Sequence, residues 1–67
     1  MTRLYEYILA QDDPHAYIYE AICGAYGVEI RDTMTDLYND ICVDDALHPD
    51  DDFEKIIERM VEYMEKA

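Results

Sequence analysis

The sequence predicts an all-α protein, one small domain over residues 1–67 built as a bundle of three to four short helices. Three observations lead there. Apolar residues recur at i, i+3, i+4 and i+7 in successive segments. Two prolines and two glycines divide the chain between those segments. No segment alternates apolar and polar residues long enough for a strand; Val28-Glu29-Ile30 is the nearest approach, and three residues cannot form a sheet alone.

The first helix is expected from Thr2, a capping residue, to about Ala10. Leu4, Tyr5, Ile8 and Leu9 share one stripe. Gln11-Asp12-Asp13-Pro14 ends it and begins the second helix, with Asp13 at N-cap and Pro14 at the first helical position, where its missing N–H costs nothing. Ile18, Ala21, Ile22 and Ala25 give that helix its stripe, and Gly27 is its expected left-handed stop. The third helix is expected to start between Glu29 and Thr33 and to end near Val43. Ile30, Met34, Leu37, Tyr38 and Ile41 share its face. His48-Pro49 breaks the chain again, and Asp50, Asp51 and Asp52 put negative charge where a helix N-terminus favours it. Phe53, Ile56, Ile57, Met60, Val61 and Met64 form the stripe of the fourth helix, with Asp51→Lys55 and Glu62→Lys66 as supporting i,i+4 pairs.

The chain carries 17 Asp plus Glu against 5 Lys plus Arg, a formal charge of -12. Such a surface repels phosphate backbones and anionic lipids, so no direct nucleic-acid or membrane binding is expected. With 51% apolar residues, the chain differs from a disordered acidic tail. No stretch is long enough to span a bilayer, and the N-terminus lacks the pattern of a signal peptide. A cytoplasmic location follows as an expectation, with Cys23 and Cys42 as reduced thiols.

The known chemistries fit poorly. A zinc site would need His15, Cys23, Cys42 and His48, which contain no close ligand pair. A calcium loop starting at Asp44 has Ala46 at its third position and His48 at its fifth. There is no phosphate loop and no nucleophile motif, and an exposed row of acids lacks the dry pocket that would separate carboxyl pKa values. Neither metal nor cofactor nor enzymatic activity is expected. Gly27-Val28 ahead of an amphipathic helix has the form of a helix-turn-helix, but Asp32, Asp36 and Asp40 on the second helix would repel DNA.

The strongest signal is the run of eight Asp at positions 32, 36, 40, 44, 45, 50, 51 and 52, with no Lys, Arg or Glu between Asp32 and Asp52. Asp32, Asp36, Asp40 and Asp44 are spaced by four. Each step turns about 400° and rises about 6 Å, so neighbours drift by only about 40°. The first three lie opposite Met34, Leu37 and Ile41 and form a column of carboxylates expected to be unrelieved by any cation. Like charges at i,i+4 weaken a helix, and Asp suits a helix interior poorly. A local rule broken in this way is where function is expected. The charge repeat is comparable with the phosphate repeat along one nucleic-acid strand. The expected partner is therefore a basic protein surface, in its sharpest form the nucleic-acid groove of another protein. Asp45, Asp50, Asp51 and Asp52 would extend the face.

Seven tyrosines are more than one core of this size can hold. Tyr5 and Tyr7 point about 200° apart on one helix, as do Tyr17 and Tyr19. Tyr5, Tyr17, Tyr38 and Tyr63 are expected at the core margin, and Tyr7 and Tyr19 at a partner contact. The competing functional class is a helical adaptor or homodimer that uses an apolar strip around Phe53, Met60 and Met64, with the acid serving only solubility.

In size, in charge and in the Asp32–Asp44 row, the chain resembles the small acidic inhibitors that phages and mobile elements direct against host defence, the anti-CRISPR and anti-restriction proteins. That resemblance implies occlusion of a nuclease's nucleic-acid channel. The chain departs from a generally acidic surface in its last helix, where Lys55, Arg59 and Lys66 make the charge one-sided.

Overall fold

A computed structural model describes residues 3–67 as four helices: α1 (Arg3–Leu9), α2 (Pro14–Ile22), α3 (Val28–Asp44) and α4 (Phe53–Lys66). The expected Thr2 cap lies outside the described residues. The all-α class follows from the sequence periodicity, and α2 and α4 pack on each other at the centre. α1 and α3 each rest on that pair, while their backbones do not pack together.

Each helix contributes most of its expected stripe to one core, Ala25 of the second being the exception. Ile8 comes from α1, Tyr17, Ile18 and Ala21 from α2, Met34, Leu37 and Ile41 from α3, and Ile56, Ile57, Met60, Val61 and Met64 from α4. Leu4, Tyr5, Leu9, Ile22, Ile30, Tyr38, Cys42, Leu47 and Phe53 close its margin. Each fully buried Ile or Met contributes about 1.5–3 kcal/mol relative to exposure. No charged or polar residue is buried among the described residues, so the core owes nothing to ion pairs. Met60 and Met64 belong to this core, which removes them from the surface strip expected for a dimer. Tyr63 also departs from expectation, because it is half exposed rather than tucked into the margin.

The helix ends explain the boundaries. Asp13 Oδ1 accepts the Ala16 N–H at 3.2 Å, the side-chain cap that the Asp-Pro pair implied. The stop of α2 comes three residues before the expected one. Gly24, at φ 92°, takes the left-handed position. Its N–H donates to the Ala21 carbonyl, and the Ala25 N–H donates to that of Glu20, both at 3.0 Å. These two bonds make a Schellman ending, and Ala25 falls outside the helix and is exposed. Gly27 instead begins α3, at φ 106°, so α3 starts one residue ahead of the expected range.

α3 ends in the same way, but with an alanine in the left-handed position. Ala46 has φ 53°. Its N–H reaches the Val43 carbonyl at 3.4 Å, and the Leu47 N–H reaches that of Cys42 at 2.9 Å. The connection to α4 then closes on His48. The Asp51 and Asp52 N–H groups donate to the His48 carbonyl at 3.1 and 2.8 Å. Asp52 Oδ2 accepts the His48 N–H at 2.9 Å, and the Tyr38 hydroxyl donates to the Pro49 carbonyl at 3.3 Å.

Candidate functional site

α3 turns Met34, Leu37 and Ile41 inward, and its other side carries the acidic column. Asp32, Asp36, Asp40 and Asp44 are all exposed. The drift of about 40° per step winds the column from the outermost line of the helix toward its flank. That winding brings the Asp40 charge to bear on Tyr5 of α1. The Tyr5 phenol is raised above its ordinary value by burial first, then by Tyr63 and Asp40.

The expectation that no cation relieves the column is corrected at its upper end and just beyond its lower end. Arg31 donates to Asp32 Oδ1 through Nε at 3.3 Å and Nη2 at 3.2 Å. Arg59 of α4 donates to Asp45 Oδ2 at 2.6 Å and to Glu62 Oε1 at 2.8 Å. These bonds, Asp45's first, hold the Arg59 guanidinium above its ordinary value. Asp45 therefore fastens the end of α3 to α4 and does not extend a free anionic face. Glu62 is bound to Arg59 rather than to the expected Lys66. The expected Asp51→Lys55 pair is also absent: Asp51 Oδ2 lies 3.8 Å from His48 Nδ1.

The carboxylates in the following loop serve the chain itself to different degrees. The Asp52 side chain satisfies the His48 N–H. Asp50 turns its N–H to His48 Nδ1 at 3.2 Å and leaves its own side chain exposed. Asp36, Asp40 and Asp44 remain as three consecutive exposed acids that make no ion pair among the described residues.

Two features of this face escaped the sequence reading. Arg31 stands directly before the Asp run, just outside the cation-free window from Asp32 to Asp52, and pairs with its first member. Val43, expected only as a helix end, is 80% exposed. It lies three residues after Asp40 and seven after Asp36, on the same side of the helix. An apolar side chain among unpaired acids gives the face a contact point that charge alone does not.

Tyr7 and Tyr19 are both exposed, at 57% and 51%, but the structure does not join them to the column. Tyr7 sits edge-on to Tyr17, with centroids 5.9 Å apart, and Tyr19 edge-on to Phe53 at 5.4 Å. Tyr26, a residue the sequence reading passed over, stacks flat on Tyr17 at 4.2 Å and 5°. Its hydroxyl donates to Glu20 Oε1 at 2.6 Å. That bond is the main reason the Tyr26 phenol is pushed up to about 12, with smaller contributions from burial and from the neighbouring Glu20, Tyr17 and Tyr7.

Among the described residues no group of three or more His, Cys, Asp or Glu is arranged to hold a metal ion. Cys23 is exposed and Cys42 half-buried, and both are free thiols. No described helix is long and apolar enough to cross a membrane. Comparison with protein-family models, curated proteins and solved structures yields no match.

Proposed function

We propose that the protein is a non-enzymatic interaction module whose α3 face docks on a basic surface of another protein, and that it competes there with a nucleic-acid backbone. One observation carries the reading. Asp36, Asp40 and Asp44 stand exposed one helical turn apart around the exposed Val43 and make no ion pair among the described residues. Retaining three such charges weakens the helix, and a cationic counterpart removes that cost on binding. Charges presented in this way act at a distance, so association is fast and falls steeply with salt. Arg31 and Arg59 bound the face, which centres the binding residues on α3 rather than on the whole run from Asp32 to Asp52. Action in the cytoplasm by occupying a nuclease channel is the form this takes if the resemblance to acidic phage inhibitors extends to function.

The test is capture of proteins from the source cell by the wild type and by the combined Asp36→Asn, Asp40→Asn and Asp44→Asn variant, at low and high salt. The expected result is a retained basic protein that is lost with the variant, lost at high salt, and displaced by competing duplex DNA. Equal capture by both forms with the same salt dependence refutes docking through α3. Capture that duplex DNA does not displace refutes the competition with nucleic acid.

A further inference from the structure

We propose that the groove between α2 and the first half of α4 receives one arginine side chain of the basic partner. This deepens the binding reading above but rests on residues separate from the acidic column. The groove has a volume of about 380 Å³, and Tyr19, Phe53, Ile57, Glu54, Glu58 and His15 line it. Tyr19 and Phe53 form its corner, with ring planes at 85° and centroids 5.4 Å apart. Ile57 adds an apolar wall, and Glu54 and Glu58 stand exposed one helical turn apart. Neither glutamate makes an ion pair among the described residues. An adjoining groove shares Phe53, Glu54 and Glu58 and extends past the start of α4 to Asp51 and Asp52, with Lys55 as the one cation in its lining.

This combination selects a guanidinium. Its flat, weakly hydrated plane stacks on an aromatic face while its N–H fork engages carboxylates. The volume sits at the low end for ligand clefts, about 300–1,000 Å³, which suits one long side chain. An uncharged apolar occupant would cover two carboxylates without pairing them, which is costly. The basic surface expected as partner supplies the arginine.

The experiment is an NMR titration of the isotope-labelled protein with Nα-acetyl-arginine methylamide, alongside the citrulline analogue, which keeps the shape and lacks the charge. The expected result is saturable shifts at the Ala16, Tyr19, Phe53 and Ile57 amides, with citrulline weaker by about tenfold or more. Tyr19→Leu and the Glu54→Gln, Glu58→Gln pair should each abolish the shifts, and Asp36→Asn should leave them unchanged. Tyr19 and both glutamates are exposed, so these variants retain the fold, and an unchanged amide spectrum elsewhere verifies it. Equal shifts with citrulline, persistence in Tyr19→Leu, or no saturable shift overturns the proposal. Shifts centred on α3 overturn the groove while leaving the α3 reading standing.

Discussion

Replacing Asp40 by Asn should make the protein more stable. Asp40 stands between Asp36 and Asp44, one turn away on either side, each at a rise of about 6 Å. Two unit charges at that distance repel by about 0.7 kcal/mol in bulk water. Flexible side chains splay apart, and like-charge pairs on helices cost about 0.2–0.5 kcal/mol each. Asp40→Asn removes two such pairs, for a gain of about 0.4–1 kcal/mol. Asp and Asn have similar helix propensities, so the change reports charge and little else. Urea denaturation at neutral pH measures it, in salt of about 10 mM and of about 1 M, where the screening lengths are about 30 Å and 3 Å. The gain should appear at low salt and vanish at high salt. No gain at low salt would show that the column is already compensated, and a gain that survives high salt would show that it is not electrostatic; either result refutes the reasoning. Asp45→Asn is the internal control, and it should lower stability because Arg59 loses its 2.6 Å partner.

Ala46→Gly should stabilise the protein by about 0.5–1 kcal/mol, seen as a higher melting temperature. Glycine relieves the left-handed strain at φ 53° and offsets that with a more flexible unfolded chain. Ile18→Ala, at a side chain with no exposure, should cost about 2–5 kcal/mol in chemical denaturation, a large share of what so small a domain has. For Tyr26, the folded phenol is raised from 10.0 to about 12. A raised group contributes stability that is complete below its unfolded value and is lost as pH rises toward the folded one. Wild-type stability should therefore fall between pH 10 and 12, and that fall should be shallower in Glu20→Gln, with tyrosinate absorbance reporting the titration.

What the sequence made legible was local, and what it hid was tertiary or lay in the choice between two glycines. The α4 stripe and the Asp13-Pro14 cap depend only on residues a few positions apart, and both appear as read. Gly24 and Gly27 were equally available as the stop of α2, and Gly24 takes that role because its position lets the Ala21 and Glu20 carbonyls be satisfied together. Gly27 was then left to open α3. The left-handed Ala46 has no sequence signature, since alanine is an unusual choice there. The acidic column was legible because a four-residue spacing fixes a helix face. The pairing of Asp45 just beyond its end was not, because Arg59 is fourteen residues from Asp45 and only the packing of α4 against α3 brings them together. The corner formed by Tyr19 and Phe53 was hidden for the same reason.

The seating of α1 has a consequence for how the molecule breathes. This seven-residue helix leans on α2 and α4 and leaves α3 untouched along the backbone. It contributes only one buried side chain of its own, Ile8, so it is the segment whose amides should exchange with solvent earliest. The helix that bears the carboxylates would stay in place through that event. Loosening of α4, by contrast, would take a packing partner from all three other helices at once.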